Sequence, residues 1–289
     1  MILKIRNHTF HWGKKTYLMG ILNVTPDSFS DGSEFNNLES ATKQVYSMLE
    51  NGVDIIDIGG ESTRPGAEKV TVEEEKNRVI PIIKKLRELT SIPISIDTTK
   101  SQVAQAAIAV GADIVNDISG GTFDEQMLST VAKLNVPIIL MHIRGNPQTM
   151  QQLTTYDDLV GEIIQFLETQ IEKAIACGIS KANIIIDPGI GFAKNHLQSI
   201  ELIQRLSEFK LLNLPILAGV SRKSFMSSIL NQDNPQERVW GTAAACCGAI
   251  ANGVDILRVH DIPERYDVCR VADVIWRMQS RDTLKLKRL

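Results

Sequence analysis

The sequence predicts a closed (β/α)8 barrel, the TIM-barrel architecture, spanning residues 1–289 as one domain. Three observations carry this expectation. Eight short apolar runs, rich in β-branched residues and little alternated, recur along the chain, as strands buried on both faces require. Stretches of helical period separate them, which is the alternation of a parallel sheet. No break in composition divides the chain. A doubly wound open sheet is the competing arrangement.

Taken in order, residues 2–12, with Ile2, Lys4 and Arg6 alternating, read as a short β-hairpin that caps the bottom of the barrel. The eight runs then follow at 18–24, 53–58, 94–96, 113–118, 138–142, 184–186, 216–220 and 255–259. Helical patterns lie between them, for example at 39–51, 72–89, 156–177 and 263–278. Two devices admit the chain to a strand. Gly-x-Asp-Ile does so at Gly52, Gly111 and Gly253, where a left-handed glycine ends the preceding helix. Pro-Ile does so at Pro93, Pro137 and Pro215, since proline is tolerated as the first residue of a strand. On the last helix, Val271, Val274, Ile275 and Met278 share a face, for which packing on the barrel is the expectation and a partner subunit the alternative. The basic tail 281–289 is expected to fray.

Composition excludes some functions. A net charge of −3 and a pI near 6.0 give no general field for nucleic acid or an anionic membrane, so any anionic ligand must find locally concentrated charge. The first residues are too charged for a signal-peptide core, and no apolar run reaches membrane-spanning length. Cys177, Cys246, Cys247 and Cys269 form no C-x-x-C pair and read as buried free thiols in a reducing compartment. A cytoplasmic location is expected.

Barrel chemistry gathers where strands end. Those positions hold Asn23, Asp57, Asp97, Asn116, His142, Asp187, Ser221 and His260, a polar series that is costly unless it converges on a ligand. Asp54, Asp113 and Asp255 open strands at the opposite end, where capping is expected. Asp57 is open to two readings, in the site or as an orienting group behind it. The loops 25–33 and 59–67, rich in Gly, Pro and small polar residues, are candidate lids, each with one large residue for gripping a ligand, Phe29 and Arg64. Arg258 and His260 lie two apart, so their side chains point the same way; with Arg64 and Asn23 nearby they suit a phosphate or diphosphate. Asp97, Asn116, Asp187 and Lys223 match the donor–acceptor edge of an aminopyrimidinone, with a structural salt-bridge network as the alternative. Gly189-Ile190-Gly191 lacks the third glycine of a dinucleotide loop.

At these positions the chain resembles the dihydropteroate synthases. The run Met19-Gly20-Ile21-Leu22-Asn23-Val24-Thr25-Pro26-Asp27-Ser28-Phe29-Ser30-Asp31-Gly32 is similar to their first signature, and Gly59-Gly60-Glu61-Ser62-Thr63-Arg64-Pro65-Gly66 to their second. Ile96-Asp97-Thr98, Asn116-Asp117-Ile118, Met141-His142, Asp187-Pro188-Gly189, Ser221-Arg222-Lys223-Ser224 and Arg258-Val259-His260-Asp261 follow in family order. Ser33 and Ile143 depart from the family's usual glycine and methionine.

The resemblance implies a transferase of folate synthesis, usually dimeric, joining 6-hydroxymethyl-7,8-dihydropterin diphosphate to p-aminobenzoate. It implies that Asp97, Asn116, Asp187 and Lys223 hold the pterin, with Met141 and Phe192 packing beside it. Asn23, Arg64, Arg258 and His260 would hold the diphosphate and its Mg2+, with Asn23 the metal's ligand. Phe29, Thr63, Pro65, Phe192, Lys223 and Ser224 would receive p-aminobenzoate, in the pocket that takes sulfonamides in the family. Lys223, Arg258, His260 and Asp97 would carry the catalysis. A methyltetrahydrofolate:corrinoid methyltransferase would share the acidic pocket but has no need of the Ser-Arg-Lys-Ser and Arg-x-His set. An inactive pterin-binding protein would be expected to lack Lys223, Asp97 or a first-loop residue, and all are present.

Overall fold

The computed structural model describes residues 1–25 and 34–277, with side chains from residue 38 onward in the first helix. Two antiparallel strands, β1 (Ile2–Ile5) and β2 (His8–His11), open the chain as the hairpin expected there. Eight parallel strands follow: β3 (Tyr17–Asn23), β4 (Ile55–Gly59), β5 (Ile94–Asp97), β6 (Ile114–Asp117), β7 (Ile138–Met141), β8 (Ile184–Asp187), β9 (Leu217–Ala218) and β10 (Ile256–Val259). Each from β3 to β7 pairs with the next, and β10 joins β9 to β3. A parallel bridge from Ile186 to Ile216 closes the ring between β8 and β9. The sheet is therefore a barrel, and the open-sheet alternative falls.

Helices α1 (Glu34–Glu50), α2 (Val72–Leu89), α3 (Ser101–Ala109), α4 (Met127–Leu134), α5 (Leu159–Ala176) and α6 (His196–Gln204) each follow one strand, from β3 to β8. The seventh unit carries two, α7 (Phe225–Leu230) and α8 (Val239–Ala251), and α9 (Ile262–Arg277) follows β10. Local chemistry sets their ends. Thr71 caps α2, its hydroxyl accepting from Glu74 N, and three glutamates in the first turn complement the helix dipole. Asn195 and Gln198 form a reciprocal capping box on α6. No helix among the described residues is long and apolar enough to cross a membrane.

Both strand-entry devices operate. Gly52, Gly111 and Gly253 take φ of +80°, +118° and +86°. The carbonyls of Pro93, Pro137 and Pro215 accept from Ile56, Val115 and Ile186 of the preceding strands. The seventh strand is only Leu217–Ala218, shorter than the apolar run.

Period-two alternation divides the barrel wall. Outward residues such as Leu18, Ile56, Ile96 and Val115 pack under the helices. Inward residues Met19, Ile55, Ile114, Ile139, Ile185, Leu217 and Ile256 fill the lower barrel, and Leu3, Ile5 and Phe10 of the hairpin plug its bottom. Burial of each such side chain contributes roughly 1.5–3 kcal/mol. This packed floor fixes how deep a ligand can reach.

Two expectations fail here. On α9 the buried residues are Ile262, Arg265, Cys269, Ala272 and Asp273, whereas Val271 and Ile275 are both 61% exposed. The apolar stripe therefore faces away from the barrel, because the helix turns its Cys269–Ala272 side inward; Met278 lies outside the described residues. Cys177 is exposed at the end of α5, while Cys246 and Cys269 are buried, and all four cysteines are free.

Candidate active site

Continuing each inward series by two residues changes the lining from apolar to polar. Above Ile55 comes Asp57, above Ile114 Asn116, above Ile139 Met141, above Ile185 Asp187, and above Ile256 Arg258. Asp97 ends β5 in register with Asn116 and Gly59, and Asn23 ends β3 opposite Gly59. The floor of the mouth thus holds three buried aspartates, an amide and a guanidinium.

These groups pair mostly with one another. Arg258 donates from Nε to Asp57 Oδ2 and from Nη2 to Asp97 Oδ2, both at 2.6 Å. Asn116 Nδ2 donates to the same Asp57 oxygen at 3.2 Å, which leaves its carbonyl for another partner. Asp187 Oδ1 accepts from Gly189 N at 2.7 Å. Burial raises the Asp97 carboxyl above the usual carboxylate range, and Arg258 only partly offsets this. Burial likewise raises Asp187. Arg258 pays a burial penalty too, but Asp57 and Asp97 outweigh it and keep the guanidinium charged.

Lys223 reaches this group from the turn after β9. Burial lowers its ammonium to about 8, opposed by the field of Asp187. Its Nζ lies 4.4 Å above the centre of the Phe192 ring. The stem crosses Gly191, at φ +83°, where an added Cβ would stand 3.2 Å from Lys223 Cδ. The positive φ favours glycine there, and a side chain would also press on the lysine stem. Phe192 and Met141, with Ile118, Ile143, Met150 and Ala193, form one apolar wall.

The turn carrying Lys223 is held from behind. Arg222, at φ +57°, bonds through its guanidinium to both carboxylate oxygens of Asp261, and Arg238 Nη1 donates to Arg222 O at 3.1 Å. Ser221 Oγ lies 3.0 Å from His260 Nδ1 and accepts from His260 N at 3.3 Å. The serine hydroxyl thus fixes the ring's orientation, and which of the two groups donates in this bond follows the imidazole tautomer. Burial, then Arg222 and Arg258, lower His260 to about 3, so it is a neutral donor at pH 7. Ser224 is exposed and makes no capping bond to α7.

The second loop crosses the rim. Gly66 N donates to Pro147 O at 3.1 Å, and Lys100 pairs with both Glu61 and buried Glu75. Arg64 and Pro65 are exposed and Thr63 half-buried; Arg64 stands close enough for its charge to act on His260. A cleft of about 550 Å3 opens beside Asp97, lined among others by Thr63, Lys100, Gln102, Phe123 and Pro147. Phe29 and the rest of 26–33 lie outside the described residues.

Among the described residues no group of three or more His, Cys, Asp or Glu could hold a metal. The neutral amide of Asn23 at the rim fits a magnesium ion that arrives with a polyphosphate and keeps most of its water, and does not fit a dehydrated structural ion.

One strand-end residue does not join the mouth. His142 faces outward, edge-on to Phe166 at 4.9 Å, with Lys194 Nζ 2.7 Å from its Nδ1. Strand parity explains this: Met141 points in, so His142 points out. The strand-opening aspartates behave as expected. Asp54 accepts from Leu18 N and Lys15, Asp113 from Ile94 N, Arg6 and Arg87, and Asp255 from Gly13 N and Ile216 N. Sequence reasoning missed Asp261, Arg238 and Lys194, which only the folded turns bring to the site's rear. Asp57 was legible by parity with Ile55.

The pterin binding enzyme family model matches residues 19–260. A dihydropteroate synthase of Synechocystis is 57% identical over 275 residues, covering 95% of each chain. A solved dihydropteroate synthase from Clostridium difficile, determined in the presence of pteroic acid, aligns with a TM-score of 0.88 at 47% identity, over 93% of this chain and 100% of that one. Another from Xanthomonas albilineans, with 4-aminobenzoic acid, aligns with a TM-score of 0.86 at 40% identity, over 92% and 95%. The chain belongs to the pterin-binding enzymes, among the dihydropteroate synthases.

Proposed function

We propose that this barrel condenses 6-hydroxymethyl-7,8-dihydropterin diphosphate with p-aminobenzoate to give 7,8-dihydropteroate and diphosphate. The observation that carries the reading is the buried set Asp97, Asn116 and Asp187, with half-buried Lys223 beside it, above an apolar floor. Two carboxylates accept from the ring N–H and amino groups, while Asn116 and Lys223 serve the ring nitrogens and carbonyl. Met141 and Phe192 pack beside the ring.

Arg258, the neutral His260 ring, Arg64 and Asn23 receive the diphosphate. Mg2+, held by Asn23 and the diphosphate, would supply further neutralisation of the leaving oxygens. The C–O bond breaks and its electron pair leaves with the diphosphate, where these donors meet the developing charge. The arylamine nitrogen then bonds to the methylene carbon and releases its proton. That amine is weakly basic and already nucleophilic, so no strong base is required. Positioning of p-aminobenzoate falls to Thr63, Pro65, Phe192 and Ser224, and to Phe29 of the first loop. No covalent enzyme intermediate is involved; trapping a pterin–protein adduct on the reaction path would contradict this.

The chain works as one domain in a reducing cytoplasm, which suits its free thiols. It functions as a homodimer. Ile229 of α7, Trp240 of α8 and Val271 and Ile275 of α9 are all exposed on neighbouring helices, and large exposed apolar residues on adjacent elements suit a partner surface. Sedimentation of a Trp240→Arg variant as a monomer would support this assembly.

Incubation with the pterin diphosphate, labelled p-aminobenzoate and Mg2+ tests the reaction. Dihydropteroate forms in the wild type. Pterin binding without product would remove the synthase reading and keep the pocket.

A further inference from the structure

Asp57 has no place in the reaction just described, yet it is the most deeply set ionisable group of the mouth. It is wholly buried, two residues above Ile55, and pairs in register with Ser95 rather than with Asp97 at the strand end. Its Oδ2 takes Arg258 Nε and Asn116 Nδ2, and its Oδ1 is buried with no hydrogen-bond partner. A buried carboxylate is costly unless a cation meets it, so Asp57 and Arg258 hold each other. The second arm of the same guanidinium closes on Asp97. The two acids differ in access. Asp97 lines the open cleft with Thr63, and Asp57 does not.

A ligand entering from the mouth therefore meets Asp97 first, and finds it already occupied by Arg258. We infer that Asp57 is a positioning residue: it holds Arg258 by Nε while the Nη2 arm passes from Asp97 to the diphosphate as the pterin ring takes Asp97. The inference rests on the pterin diphosphate reading above. In the exchange the ring N–H replaces Nη2 on Asp97, so the carboxylate keeps a donor. The freed arm stays tethered at its other nitrogen, on the same strand face as His260, two residues on. Pterin occupancy and anion affinity become coupled, each ligand favouring the other by the same factor. A pterin without an anion must displace an arginine arm that has nowhere to go, and binds less tightly. An untethered guanidinium would follow either ligand independently, and the coupling would vanish.

The test is calorimetric, on the full chain, with 6-hydroxymethyl-7,8-dihydropterin titrated in the presence and absence of saturating inorganic diphosphate and Mg2+. In the wild type, diphosphate tightens pterin binding by about tenfold, within the usual range for coupled sites. In Asp57→Asn, which preserves shape and removes charge, the factor falls to about one. Asp57→Asn also leaves the coupling factor unchanged when Arg258 is already Gln, since the coupling runs through that side chain; its bond to Asn116 bears on pterin affinity alone. A merely structural Asp57 would leave the coupling intact in the single variant, and an Asp57 acting elsewhere would change the coupling factor further in the double variant; either result overturns the inference. Should Asp57→Asn not fold, Arg258→Lys decides: a single ammonium cannot hold Asp57 while its other arm exchanges, so coupling is lost, and its retention refutes the device. A wild type that binds no pterin under either condition overturns the functional reading and this inference together, which is a different outcome from uncoupled binding.

Discussion

The two ends of the barrel carry similar residues in opposite conditions. At the bottom, Asp54, Asp113 and Asp255 each accept a backbone N–H across a strand or turn, and the first two also hold cations. At the mouth, Asp97 shares one guanidinium with Asp57, whose Oδ1 is unpartnered, and Asp187 keeps one backbone donor. The bottom spends its acids on closing strands against one another. The mouth leaves its acids and Lys223 short of partners, which raises the carboxyls, lowers the amine and leaves them receptive to a ligand. Conserving the fold and serving a ligand are thus assigned to opposite ends of the same strands.

The largest effect that would break this division is loss of Asp113. Asp113→Ala leaves Arg87 without its carboxylate and Ile94 N without an acceptor. We expect a loss of about 3 kcal/mol in denaturant unfolding, the low end for a broken buried pair, with the turnover of folded protein unchanged. A mouth variant should do the reverse. Lys223→Ala should lower turnover by about 10²- to 10³-fold, with unfolding free energy within about 1 kcal/mol of wild type or above it. Equal losses of stability in both variants would erase the distinction.

Much of this was open to reading in the sequence, for physical reasons. Strand parity and the glycine and proline entries located the barrel and its two ends, since both depend on local backbone chemistry. Asp97, Asn116, Asp187 and Arg258 were recoverable because each sits in or at the end of a strand. The pairing of Arg258 with Asp57 was not, because 201 residues separate partners that only barrel closure brings together. His142 was misplaced because its rank at a strand end was weighed above its parity. The exposed stripe on α9 was misjudged because an apolar face does not say which neighbour it covers.

Smaller effects sharpen the comparison. Lys223 titrates near 8, so pterin affinity should fall above that pH as the ammonium loses its proton. For stability the sign is opposite: a lysine lowered in the fold makes the protein more stable as pH rises from about 8 toward the unfolded lysine value. Asp187→Asn removes the group that raises Lys223, so the alkaline limb of pterin binding should move to lower pH. An unmoved limb would assign it to another group. At a third site, away from both ends, Arg265 of α9 is buried with all three guanidinium nitrogens lacking a hydrogen-bond partner. Arg265→Met should raise stability by about 1 kcal/mol or more and leave turnover alone, measured by urea unfolding and steady-state assay.

The division between the two ends is tested most directly by the melting temperature of Asp97→Asn, with and without the pterin diphosphate. The account predicts that the free variant melts at or above the wild type, because a strained acid has been neutralised and Arg258 keeps Asp57. It also predicts that the ligand-induced rise seen in the wild type disappears. A free variant that melts well below the wild type, yet still gains the full rise on adding ligand, would make Asp97 a structural acid like those at the bottom and contradict the account.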